Sequence, residues 1–144
     1  MSARFHFVEG ATSDLCFTAS GDSLSEAFAA AAEALVAATV ERPEAVAPSL
    51  TRELRLVDTD RELLLLRFLN ELIYLRDAEG LVLRPARIAC REEESGIELG
   101  AELAGEKLDP ERHGRASDVK AATAHGLSLV RMGNGWRACV TLDV

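Results

Sequence analysis

The sequence is poor in cysteine, in long apolar runs and in basic charge. Its 144 residues hold three cysteines, Cys16, Cys90 and Cys139. An odd number at wide spacing indicates neither a disulfide framework nor a Cys-x-x-Cys zinc site, so three buried small thiols in a reducing cytoplasm are expected. No apolar run approaches the ~20 residues of a membrane helix, and the first five residues lack the apolar centre of a signal peptide. Lys and Arg number 16 against 24 Asp and Glu, a net charge of −8. A chain that grips nucleic acid or an anionic membrane through its own field needs clustered Lys and Arg, so neither contact is expected. A partner that is itself basic remains open. The chain also has no Gly-rich phosphate loop, no Gly-x-Ser-x-Gly elbow and no His-x-x-x-His pair. His6, His113 and His125 are scattered, and each reads as a structural hydrogen-bonding group.

What remains is ordinary for a folded protein, with 48% hydrophobic and 28% charged residues. The length predicts one domain, or two small modules sharing a core. Residues 4–9 and 15–19 alternate as strands around a polar turn at 10–14. Ser23 and Glu26 have capping-box spacing, and Leu24, Ala27, Phe28, Ala31, Leu35 and Ala38 then recur on one face, which predicts an amphipathic helix over 23–40. A strand follows at 50–57. A second capping box, Thr59 with Glu62, opens a helix over 60–76, whose polar strip narrows to Arg67, Asn70, Glu71 and Tyr74. Such a helix is expected to be the central core element. Gly80 supplies a left-handed stop. Strands are expected at 81–91 and 97–103, joined by a charged hairpin, then at about 117–131 and 136–144, joined by Gly133-Asn134-Gly135. The fold class is α+β, with two helices packed on antiparallel or mixed sheet.

Two places stand out chemically. Asp14 sits in a turn between the first two strands. At the other end Trp136, Ala138, Val140, Leu142 and Val144 share one strand face, so Asp143 points to the other. Asp143 and the terminal carboxylate of Val144 lie within one residue of each other, both ionised at neutral pH. Two carboxylates on a fixed strand repel; a solvated end tolerates this, and a hard cation or a lysine offsets it.

The order of several tracts resembles the archease family along nearly the whole chain. They are Ala11-Thr12-Ser13-Asp14, Ser25-Glu26-Ala27-Phe28 and Phe68-Leu69-Asn70-Glu71-Leu72-Ile73-Tyr74-Leu75. Further on come Gly105 to His113, Asp118-Val119-Lys120-Ala121, His125-Gly126-Leu127 and Trp136 to Val144. Two departures are visible: Ala11 stands where the family usually has His, and Arg67 where it often has an acid. The resemblance implies a single domain over 1–144 built from two strand–helix–strand–strand modules, one inserted into the other at roughly 45–105. It also implies a cytoplasmic accessory factor, not an enzyme in its own right, for the GTP-dependent ligase of tRNA splicing and RNA repair. That enzyme joins ends bearing a 2′,3′-cyclic or 3′-phosphate to 5′-hydroxyl ends. Such a factor promotes guanylylation and multiple turnover of the ligase. A divalent-metal site for Ca²⁺, Mg²⁺ or Mn²⁺ is implied at Asp14, Asp143 and the Val144 carboxylate, with Lys120 as the nearby functional residue. Two other readings are a general interaction module or chaperone, and a stand-alone metal-dependent hydrolase.

Overall fold

Both helices begin at a side chain that accepts orphan backbone N–H groups. In the computed structural model, which describes residues 4–8 and 14–144, Ser23 caps helix α1 (Leu24–Thr39) and its Oγ accepts from Glu26 N at 3.1 Å. The return bond of the capping box is displaced by one residue, Glu26 Oε1 accepting from Asp22 N at 2.9 Å. Helix α2 (Arg61–Glu79) is capped by Asp60 instead of Thr59. Its Oδ1 accepts from Glu62 N at 2.8 Å and Leu63 N at 3.3 Å. Asp60 thereby satisfies two orphan donors alone, and the Glu62 side chain is left to bond elsewhere. The helix runs past Arg76 to Glu79 and closes on Gly80 at φ 68 and ψ 26, the left-handed stop that its sequence signals. Glu9, Ala11, Thr12 and Ser13, part of the expected first strand and turn, lie outside the described residues.

The strands are β1 (Arg4–Val8), β2 (Leu15–Gly21), β3 (Leu50–Asp58), β4 (Leu81–Glu93), β5 (Gly96–Lys107), β6 (Ala121–Met132) and β7 (Gly135–Asp143). They form two sheets, ordered β1-β2-β7-β6 and β3-β5-β4. Every pairing is antiparallel. Residues 117–120, expected as strand, precede β6, and the loop before them holds a short helix, α3 (Pro110–His113). The segment β2-α1-β6-β7 and the segment β3-α2-β4-β5 share one topology. In each, a strand leads to a helix, then to a hairpin whose last strand inserts in the middle, and the second segment is inserted between α1 and β6. Gly105 in β5 permits the close approach of β4, since a Cβ there would collide with Val82 O.

One core joins the modules. It includes Phe17, Phe28, Phe68, Leu69, Leu99, Leu103 and Leu142, all at most 1% exposed. Phe28 of α1 stacks on Phe68 of α2, ring centroids 6.1 Å apart. Contrary to the expectation that α2 is the central core element, α1 is the more enclosed helix, with 11 of its 16 residues buried. Ser25, Glu26, Ala29, Glu33 and Ala37 are left along one stripe, as its amphipathic pattern requires. Its alanines let β2 approach from one side and β4 of the other module from another. On α2, Leu63 and Tyr74 are exposed at 46% and 59%.

The modules also interlock through polar side chains at strand edges. Ser25 of α1 accepts from Cys90 N of β4 at 2.8 Å, and Glu62 of α2 accepts from Leu129 N of β6 at 3.0 Å. Both residues occupy the second helical position after the cap. Further along, Glu33 of α1 binds Arg84 of β4 by two bonds of 2.9 Å. The matching α2 residue, Asn70, donates to Ala122 O and accepts from Ala122 N at 3.0 and 2.9 Å. Asn70 therefore behaves as a short strand partner for β6 and not as part of a solvated strip. Edge groups that would otherwise recruit another chain are closed this way.

Leu69→Ala should cost ~2–5 kcal/mol through the cavity it leaves, read from urea unfolding. Asn70→Ala should cost about 1–3 kcal/mol, because it strands a part-buried backbone donor and acceptor. Hydrogen exchange at the Ala122 amide should accelerate in that variant.

Candidate functional site

The first sheet brings three remote stretches to one end. β2 pairs with β7 from Gly21↔Trp136 to Leu15↔Leu142. Asp14 directly precedes Leu15, so it enters the sheet across from Asp143. On the other side of β7, Ala121 pairs with Asp143, and Lys120 N donates to Asp143 O at 2.7 Å. Leu142 is fully buried and turned toward the helices. Asp143, one residue on, is exposed on the opposite face, and Lys120 and Val144 are exposed as well, Asp14 partly so. β7 ends at Asp143, one residue short of the expected end at Val144.

Asp14 and Asp143 bring carboxylate oxygens to this end, with Lys120 beside them. Among the described residues no cluster of three or more His, Cys, Asp or Glu side chains is placed to hold a metal. The expected set has two side-chain carboxylates, and its third group is the main-chain carboxylate of Val144. Carboxylate oxygens suit a hard cation, and three of them leave positions in its oxygen shell for other ligands.

Lys120 is held by its neighbours' backbone. Asn70 grips Ala122 on one side, and Arg76 Nη2 donates to Val119 O at 2.5 Å on the other, with Val119 fully buried. Upstream, Ser117 N donates to Thr39 O at 2.7 Å, and Val40 bridges Ala116. The preceding turn is pinned by Glu106. Its Oε1 accepts from Arg112 Nη1 at 2.6 Å, and its Oε2 accepts from Ala47 N at 2.8 Å and faces His113 Nε2 at 2.7 Å. His113 is fully buried, and its Nδ1 accepts from Asp109 N at 3.0 Å. That assigns the proton to Nε2, which donates to Glu106. His113 is thus the structural hydrogen-bonding group that its sequence setting suggested.

The remaining candidates are accounted for locally. His125 is exposed in the register shift between Thr123 and Ser128 of β6, where Gly126 has φ 68. Arg67 donates to Val57 O at 2.8 Å and pairs with Asp58 Oδ2 at 3.2 Å, so its charge is engaged within the chain. The three cysteines are free and half-buried. Burial pushes the Cys90 thiol up to about 12, which removes it as a thiolate nucleophile. Sequence patterning missed Asn70 and Arg76 as supports of the Lys120 segment. The available signal was the polar break they make in an otherwise apolar helix. No described helix is long and apolar enough to cross a membrane.

Comparison with known proteins assigns this architecture to a family. The model of the Archease protein family matches residues 5–144. Protein archease of Pyrococcus abyssi is 39% identical over 134 residues, covering 92% of this chain and 94% of that protein. Protein archease of Methanosarcina acetivorans is 34% identical over 142 residues, covering 98% and 96%. The chain belongs to the archease family. The solution structure of Methanobacterium thermoautotrophicum protein 1598 superposes with a TM-score of 0.83 at 29% identity, covering 97% of this chain and 98% of that one. A Thermotoga maritima crystal structure, described as an archease and possible chaperone, shares the fold at TM-score 0.65 and 21% identity, covering 96% and 98%.

The Glu106 cluster predicts a pH dependence. Arg112 first, then the Ala47 N–H and the His113 ring, hold the Glu106 carboxylate down to about 2. An unfolded glutamate titrates near ~4.3, so this stabilisation is present above that value and is lost as the pH falls through the folded one. Glu106→Gln should lower the urea midpoint at pH 7, and the gap to the parent protein should close as acid is added. A gap that is unchanged at pH 3 would contradict this.

Proposed function

We propose that this chain is an accessory activator of a GTP-dependent RNA-splicing ligase, promoting the ligase's guanylylation and multiple turnover through the acidic end of the first sheet. The observation that supports this reading is the strand register that sets Asp14 against Asp143 and ties the main chain of Lys120 to Asp143. Family membership agrees with it.

In this reading Asp14, Asp143 and the Val144 carboxylate hold a hard divalent cation, Ca²⁺, Mg²⁺ or Mn²⁺. When bound, the cation supplies positive charge and open ligand positions to the partner's nucleotide phosphates. The chain's own residues do the presenting. β2 and β7 fix the two aspartates, which spares the entropy of ordering them at the moment of contact. Asn70, Arg76 and Asp143 O fix the backbone around Lys120, so its ammonium is delivered from a defined base. The exposure of Lys120, Asp143 and Val144 lets this end enter a cleft on the partner. Excess acidic charge favours encounter with a basic cleft and rejects acidic ones.

The test is guanylylation and multiple turnover of the cognate ligase with and without this protein. Asp14→Ala, Asp143→Ala and Lys120→Ala should each abolish stimulation with modest loss of stability. A short C-terminal extension, which moves the terminal carboxylate away, should abolish it too while the fold persists. Full stimulation by the extended protein would remove Val144 from the site. Stimulation by all three alanine variants would leave a general interaction or chaperone role in its place.

A further inference from the structure

The face of the first sheet that bears Asp143 is not covered by either helix, and its cross-strand rows run from cationic to anionic. The row farthest from Asp143 is Arg4–Ser20–Arg137, since Arg4 pairs with Ser20 and Ser20 with Arg137. His6 and Thr18 form the next row. Paired residues in a sheet share a face. Six residue steps along the strand lead from Arg137 to Asp143, about 20 Å at the usual strand rise. Arg4, His6, Thr18, Ser20, Asn134 and Arg137 line an open depression of ≈ 500 Å³. Asp22 also lines it, which leaves the lining net positive among the described residues, on a chain of −8.

The two arginines differ from most others in the molecule. Among the described residues seven arginines, from Arg52 to Arg112, are held by carboxylates. Neither Arg4 nor Arg137 makes an ion pair there, and both are exposed. Guanidinium forks flanking a hydroxyl, with an imidazole, a threonine and an amide beside them, are donor chemistry for a tetrahedral oxyanion. We propose that the Arg4–Ser20–Arg137 row is a phosphate-binding subsite, separate from the carboxylate end. It takes one phosphate group of a nucleotide or of a nucleic-acid strand. Two arginines against a net negative chain hold one phosphate group and do not track a long backbone.

The test is an amide and arginine side-chain NMR titration of the full chain in EDTA, which prevents a cation at the carboxylate end from recruiting phosphate. The probes are pyrophosphate and a hexaadenylate RNA with or without a 5′-phosphate. Saturable shifts centred on Arg4, Ser20 and Arg137 are expected with pyrophosphate. A response to the 5′-phosphorylated RNA alone identifies a terminal phosphate as the nucleic-acid source, and an equal response to both RNAs identifies the backbone. Arg4→Ala and Arg137→Ala should each weaken binding about tenfold and lower the salt slope for RNA by about 0.7. Arg87→Ala, at an exposed arginine of β4, should change neither. Absence of saturable shifts at the row in the parent protein overturns the proposal. So does an equal loss in Arg87→Ala, or tighter binding of a tetraglutamate peptide than of pyrophosphate.

Discussion

The bonds from Cys90 N to Ser25 Oγ and from Leu129 N to Glu62 Oε2 are one contact made twice. In each, the second residue of a helix closes an N–H on the edge strand of the other module. Each edge strand also carries a register shift, between Pro85 and Arg87 in β4 and between Thr123 and Ser128 in β6. Neither module closes its own edge, so each completes its hydrogen bonding only when the other is in place. That mutual requirement fits the alanine-rich sequence of α1, which lets both sheets approach it, and the single core that spans both sheets. It also makes unfolding of one module alone costly, because stranded edge groups and exposed apolar area would appear together.

The candidate site inherits its geometry from this arrangement. Asp14 is placed by β2 of the first sheet, Asp143 by the central strand β7, and Lys120 by the entry to β6. The inserted module contributes through Asn70 and Arg76 of α2, which hold the backbone on either side of Lys120. Acidic groups collected at the end of a pinned strand are presented as a fixed patch and not as a mobile tail. The ordering entropy of that charge pattern is lost during folding, which is what lowers the cost of any contact made there.

Much of this was legible in the sequence because its signals were local. Apolar alternation located the strands, the caps located both helix starts to within one residue, and Gly80 located the stop. What stayed hidden depended on contacts distant in sequence. Thr59 and Asp60 are both competent caps, and only the bond from Glu62 to Leu129 shows why Asp60 takes the role. The face pattern of α1 suggested one buried side, whereas the second sheet reaches it from residues more than forty positions away. Asn70 looked solvated because a helix pattern cannot show that a strand edge will arrive there. The carboxylate end is an expectation from spacing and resemblance; the backbone link from Lys120 to Asp143 is visible only in the structure.

The insertion also has a temporal side. In both sheets the strand latest in the chain lies in the interior, β5 between β3 and β4, and β7 between β2 and β6. A chain emerging from its N-terminus can close the inserted sheet once residues through 107 are available. β2 must wait for residues 135–142 before it gains its inner neighbour. Pairings of such long sequence separation form slowly. The groups at Asp14, Lys120 and Asp143 are therefore brought together only when residues 135–143 pair with β2 and β6. Until that strand inserts, the chain holds these three residues without holding them together.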